Sequence, residues 1–195
     1  DDLVALVRNY NPKTNEALIR EAYEYGRLMH EGQFRHSGEP YFSHPVAVAA
    51  ILTEQQLDDA TIITALLHDT VEDCEVTLDT LHTEFGGDVA QLVDGVTKLS
   101  RLAIRTLPSS AQAENFRKLL MAMSEDVRVL MVKLADRTHN MRTLSFIPKP
   151  EKRHRIARET MDIYAPLAER IGLTQLQTEL EDSAFEVLNG EMRQS

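Results

Sequence analysis

The sequence predicts an all-α fold, and three observations lead there. Apolar residues recur at helical spacing along almost all of the 195 residues. No stretch of any length alternates as a strand would. Glycine and proline punctuate the gaps between the periodic runs. An apolar fraction of 43% and a charged fraction of 27% are ordinary for a globular protein. The length fits one domain with room for the start of another, and no internal repeat or low-complexity tract is present.

Taken in order, Asp2 to Tyr10 reads as a short helix with Leu3, Val4, Leu6 and Val7 on its apolar side, broken by Asn11 and Pro12. A second helix runs from about Asn15 to His30, with Ala17, Leu18, Ala22, Tyr25 and Met29 at helical spacing and Gly32 as its stop. Gln33 to Tyr41 is a loop or small hairpin, because Ser37-Gly38 is a turn signal and Pro40 forbids helix. It carries Arg35 and His36, which suit either a solvated turn or a phosphate and base contact. Ser43-His44-Pro45 opens the third helix, with Pro45 at its first position and Ser43 or His44 as its cap. Asp58 and Asp59 start a fourth helix that carries His68 and Asp69.

Thr77-Leu78-Asp79 begins a helix through Phe85 that Gly86-Gly87 ends, and residues 88–104 continue as helix. Arg105 to Ser110 reads as a mobile connection, followed by a helix from Ala111 to Met123 that buries Phe116, Leu119 and Leu120. Asp126 to Thr143 has apolar residues all round, as a buried central helix does. Asp136 falls on the face of Val129 and Val132, and Asn140 and Thr143 follow it at i+4 and i+7. A carboxylate on such a face needs a cation, which is either a core Arg or Lys or a metal. Beyond Pro148 and Pro150, a long helix spans Glu151 to Ile171, kinked at Pro166. Its early basic run, Lys152 to Arg155 with Arg158, is read as a solvated face. Gly172 breaks the chain before a last amphipathic helix, Leu173 to Leu188.

The most informative stretch is Ala65-Leu66-Leu67-His68-Asp69-Thr70-Val71-Glu72-Asp73. It begins as an apolar helix and ends in ionisable groups. Buried carboxylates are costly without a strong partner. An adjacent imidazole and carboxylate can offer nitrogen and oxygen to one divalent metal. Glu72 and Asp73 follow a turn later, within reach of a water on that metal. His44 and Asp136 complete a set of four candidate ligands from three separate places in the chain.

The net charge of −10 argues against a protein that coats nucleic acid. An anionic substrate must then be met by a metal or by local cations. Cys74 is the only cysteine, so no intrachain disulfide forms and a reducing compartment is compatible. With no bilayer-length apolar run and no signal peptide read at the start, the expected location is the cytoplasm, without membrane attachment.

The pattern His44, His68-Asp69, Asp136 in a helical chain resembles the HD metal-dependent phosphohydrolases. The surrounding words resemble more narrowly the hydrolase domain of long RelA/SpoT homologues, the enzymes that control (p)ppGpp. They include Ser37-Gly38-Glu39-Pro40-Tyr41, His44-Pro45-Val46-Ala47-Val48-Ala49, Gly95-Val96-Thr97-Lys98-Leu99 and Gln112-Ala113-Glu114-Asn115-Phe116-Arg117-Lys118. Lys133-Leu134-Ala135-Asp136-Arg137-Thr138-His139-Asn140-Met141-Arg142-Thr143-Leu144 and Tyr164-Ala165-Pro166-Leu167-Ala168 add to the likeness, which runs through nearly the whole chain.

This resemblance implies an HD-type helical bundle of about ten helices with a metal site between its central helices. Residues 1–146 would form the hydrolase domain. Residues 147–195 would be C-terminal helices of the same module, leading towards a synthetase domain and regulatory domains. The implied reaction is Mn²⁺-dependent removal of the 3′-diphosphate from ppGpp or pppGpp, giving GDP or GTP and pyrophosphate. His44, His68, Asp69 and Asp136 match the family's metal ligands. Glu72 and Asp73 match its catalytic acidic pair, with Glu72 for proton transfer and Asp73 for orienting water or metal. Arg35, Ser37, Asn140 and Thr143 match positions lining the guanosine and phosphate pocket. His36 stands where the family often has Lys and gives a weaker, pH-sensitive phosphate contact. The competing readings are another HD hydrolase of ordinary nucleotides and a module that binds ppGpp without cleaving it.

Overall fold

The computed structural model describes residues 2–105 and 126–192, and among them the only β pairing is an isolated antiparallel bridge from Phe34 to Pro40. The expected connection after Arg105 and the expected helix Ala111 to Met123 lie outside the described residues. The chain divides into two compact units. The first holds residues up to 105 together with 126–135, and the second holds the described residues from Asp136 onward.

In the first unit, α1 is Asp2–Tyr10 and buries Leu3, Val4 and Val7. Leu6, expected on that face, is instead exposed. Helix α2, Glu16–Met29, is capped by the Asn15 side chain, which accepts from Leu18 N–H at 3.1 Å. Its buried row is Ala22, Gly26 and His30 at i+4 spacing, with Ile19 beside it, whereas Ala17 and Met29 face solvent. The inward stripe is therefore rotated from the one the aliphatic residues suggest, because Gly26 lets α2 approach its neighbours closely. A Cβ on Gly26 would stand 2.6 Å from Phe42 Cε2 and 3.0 Å from the Leu66 carbonyl.

Gly26→Ala gains about 1 kcal/mol of helix propensity and loses about 1–3 kcal/mol to overpacking. The Leu66 carbonyl belongs to a buried helix and cannot yield. The expected result is a net loss on the order of 1 kcal/mol, read as a thermal midpoint lower by roughly 2–4 °C.

Residues 33–41 form the small hairpin. Arg35 N–H donates to the Glu39 carbonyl at 2.9 Å, and Tyr41 N–H donates to the Gln33 carbonyl at 2.8 Å. Helix α3, Ser43–Glu54, follows without a side-chain cap. This corrects the expectation for its start. Phe42 holds the cap position, Ser43 and His44 are already helical, and Pro45 is third rather than first. The Ser43 and His44 N–H groups are satisfied by the Pro40 and Tyr41 carbonyls at 3.0 Å, so no hydroxyl or imidazole is needed there. His44 is thereby released from capping, and its ring is buried.

Helix α4, Asp59–Leu67, packs on α2, on α3 and on α7, Gly87–Arg105. Every residue from Thr61 to His68 is buried, so α4 is the most enclosed element of this unit. Short α5 is Thr70–Asp73, and α6, Leu78–Phe85, ends at Gly86 with φ +96°. Gly87 then opens α7 instead of ending α6.

Helix α8, Val127–Arg142, buries Val129, Leu130, Val132, Leu134 and Ala135 but leaves Val127 exposed. Arg128 gathers three carboxylates near its start, Asp126 at 2.6 Å, Asp58 at 2.7 Å and Asp88 at 3.0 Å. These belong to the segment before α8, the cap of α4 and the first turn of α7. The network ties three helix beginnings together where their dipoles favour negative charge.

The second unit continues α8 through a 3₁₀ turn, Leu144–Phe146. The single helix expected over Glu151 to Ile171 is three pieces. They are α9, Pro150–Glu159, a π turn, Thr160–Tyr164, and α10, Ala165–Arg170. Pro166 has no N–H to donate and its ring would crowd the Asp162 carbonyl, and the widened turn absorbs both. Arg137 lies over the Tyr164 ring at 4.2 Å and meets Glu159 at 2.8 Å. Lys152, Arg155 and Arg158 are exposed, as a solvated face requires, whereas Arg153 and His154 are half-buried and Arg153 donates to the Ile147 carbonyl. Gly172, with φ +83°, precedes α11, Thr174–Met192, which buries Leu176, Leu180 and Ala184.

Candidate metal centre

The site begins where α4 stops. His68 is the C-terminal cap of α4 and Asp69 the cap of α5, so the doublet sits at a break rather than inside one helix as expected. A buried helix end leaves carbonyls that need donors. Here side chains supply them. Thr70 Oγ1 donates to the Leu67 carbonyl at 2.7 Å, and His68 Nδ1 donates to the Ala65 carbonyl at 2.7 Å.

That second bond fixes the imidazole. A carbonyl can only accept, so Nδ1 carries the proton and Nε2 of the neutral ring presents its lone pair. Nε2 faces Asp69 Oδ1 at 3.2 Å. A lone pair opposite a carboxylate oxygen is repulsive unless a proton or a cation joins them. His44, 2% exposed, brings its ring to 6.0 Å from that of His68, centroid to centroid. Asp136 is the next residue of α8 after Ala135, the last residue of the first unit. His44, His68 and Asp136 each offer one ligand atom, and these atoms all lie within 4.8 Å of one another. Two metal–ligand bonds of about 2.1 Å nearly span that distance. Two imidazole nitrogens and the Asp136 carboxylate, largely shielded from water, suit a borderline divalent ion, and Asp69 stands outside that trio, against His68. The donor set therefore fits a metal.

Glu72 and Asp73 stand at the solvent side of α5. Partial burial pushes both carboxyls above their usual range, and the Asp69 charge adds to it. Lys133, which donates to Ser100 at 3.0 Å, pulls Glu72 the other way. A bound cation would also hold both carboxyls ionised.

Arg35 lies in the hairpin with its guanidinium 6.0 Å from the Tyr41 ring centre. Ser37 is half-buried in the same turn, and His36 is exposed. Asn140, in the last turn of α8, and Thr143, just past its end, are half-buried, with Thr143 Oγ1 donating to the His139 carbonyl at 3.2 Å. Sequence reasoning passed over Tyr41 and His30. Tyr41 O–H donates to Asp69 Oδ2 at 2.8 Å, and the His30 ring lies against Tyr41 with centroids 4.9 Å apart. The available signal for His30 was its place on the Ala22, Gly26 row.

Comparison with known proteins agrees with this geometry. A family model described as HD domain matches residues 22–174. GTP pyrophosphokinase rsh of Brucella melitensis is 55% identical over 188 residues, covering 96% of this chain and 25% of that protein. Bifunctional (p)ppGpp synthase/hydrolase SpoT of Escherichia coli is 53% identical over 188 residues, covering 96% of this chain and 26% of that protein. The chain thus spans about a quarter of the length of these curated relatives. A solved structure of a metazoan orthologue of SpoT, which hydrolyses ppGpp and plays a role in starvation responses, is similar with a TM-score of 0.59 at 25% identity. That match covers 90% of this chain and 96% of the other. The chain belongs to the HD domain family, within its RelA/SpoT branch.

Proposed function

We propose that this chain is a Mn²⁺-dependent (p)ppGpp 3′-pyrophosphohydrolase, converting ppGpp or pppGpp to GDP or GTP and pyrophosphate. The observation that carries this reading is the convergence of His44, His68 and Asp136 within 4.8 Å, beside Asp69. The relatives named for (p)ppGpp chemistry supply the substrate class. The remaining length of such relatives is where synthase and regulatory functions would reside.

His44, His68, Asp69 and Asp136 would hold the ion, which when bound acidifies water and offsets phosphate charge. Glu72 takes the proton of the attacking water. Partial burial and the Asp69 charge raise its affinity for protons above that of an ordinary carboxylate, which favours a base role. Asp73 orients that water. Arg35 stacks on guanine or meets a phosphate, and its planar fork suits either task. Ser37, Asn140 and Thr143 line the nucleoside and phosphates, with His36 an outer phosphate contact.

The test is pyrophosphate release from ppGpp with Mn²⁺ added, with dGTP as competitor. Release that ceases on chelation and is indifferent to dGTP supports the assignment. Bound ppGpp recovered intact would leave a binding module, and cleavage of ordinary nucleotides would leave a different HD hydrolase. Chelation should also lower the thermal midpoint, since an ion bound only by the folded state stabilises it by about 2.7 kcal/mol at a hundredfold excess over Kd.

A further inference from the structure

We propose that Tyr41 is a positioning residue that holds the Asp69 carboxylate against His68 at the metal centre, and that His30 sets the angle of the Tyr41 ring. The proposal rests on the metal-centre reading above. Asp69 turns its two oxygens to different partners. Oδ2 accepts the Tyr41 hydroxyl at 2.8 Å, and Oδ1 faces His68 Nε2 at 3.2 Å. Without the hydroxyl, the carboxylate can rotate and both oxygens become equivalent. The hydroxyl has one proton, and Asp69 Oδ2 receives it.

The phenol is itself braced. Its ring lies against His30, whose centroid is 4.9 Å away at a tilt of 39°. His30 is 2% exposed, and its Nδ1 lies 2.8 Å from Gln33 Oε1 and 3.3 Å from Cys74 Sγ. Gln33 Nε2 in turn reaches the Asp73 carbonyl at 3.5 Å. The path runs from Tyr41 through His30 and Gln33 to the Asp73 backbone, all within the first unit. A buried imidazole held in this way fixes a side chain that lies in a partly exposed hairpin. Outer partners of this kind tune metal affinity because they orient the ligands themselves.

Tyr41→Phe removes only the hydroxyl and keeps the ring against His30. Two readouts are needed, Mn²⁺ affinity of the substrate-free protein by direct titration and pyrophosphate release from ppGpp at saturating Mn²⁺. The expected result is Mn²⁺ binding weaker by about 10–100-fold. kcat should fall while KM and the unfolding midpoint in chelator stay unchanged. Unchanged affinity and kcat overturn the role, and so does an affinity loss matched by a lower midpoint in chelator. If Tyr41→Phe weakens Mn²⁺ binding but even the parent protein leaves ppGpp intact, the positioning role stands and the substrate assignment falls. A parent protein that binds no Mn²⁺ removes both.

Discussion

His68→Ala should leave a folded protein that releases almost no pyrophosphate from ppGpp, even in excess Mn²⁺. The substitution deletes the ring donor that groups with His44 and Asp136 and faces Asp69, and it also deletes the proton donor to the Ala65 carbonyl. The first loss governs activity. A Lewis acid contributes several kcal/mol to a phosphoryl transition state, so losing it costs about a thousandfold or more in rate. The second loss governs stability. His68 is 4% exposed, so its removal strands a carbonyl and opens a small cavity, at a cost of about 1–3 kcal/mol. That lies within the usual margin of a folded domain. The check is metal content, pyrophosphate release and thermal unfolding on one preparation. Substantial turnover with a folded variant would remove His68 from the metal centre.

The helices were legible because their signals are local. Asn15, Asp58 and Thr77 each accept a hydrogen bond at the helix start that their sequence position announces. Gly86 and Gly172 take the positive φ that ends a helix cheaply. The misreadings share a cause, which is that a neighbour decided the outcome. Carbonyls of Pro40 and Tyr41, not a hydroxyl, satisfy the start of α3. The inward face of α2 follows Gly26 because Phe42 and Leu66 press on it, which periodicity in α2 alone does not encode. The same holds for the centre. His68 and Asp136 could be singled out as polar residues in apolar company, because burying them unpartnered is expensive, whereas His44 reads locally as a helix cap and joins them through the family resemblance. Tyr41 gave no such signal. Its hairpin looks solvated in sequence, and only the three-dimensional approach of Asp69 and His30 gives its hydroxyl a task.

Asp73→Asn is expected to separate catalysis from stability, with opposite signs. The amide keeps the size of the carboxylate, but it cannot carry the charge that orients water. Activity should fall by about 10²–10⁴, the usual contribution of a positioned acid or base. Stability should move the other way. Burial, and then the Asp69 charge, raise the Asp73 carboxyl above its ordinary range in the folded protein. A carboxyl whose affinity for protons is higher when folded favours the fold only while protonated. That contribution is present below its unfolded value of about 3.9 and is lost as pH rises through the folded value. At pH 7 the ionised Asp73 therefore works against folding, and the asparagine relieves it. The metal-free variant should melt slightly above the metal-free parent at pH 7, and the two should converge below about pH 4. The rise is small because Asp73 reaches solvent, which screens its repulsion from Asp69. Adding Mn²⁺ should narrow the difference from the other side, since a cation beside Asp69 compensates the carboxylate that the variant lacks. A variant that melts below its parent in chelator at pH 7 would mean that Asp73 supports the fold. Its place beside the centre would then follow from packing, and Glu72 would be left as the sole acidic group available for the chemistry.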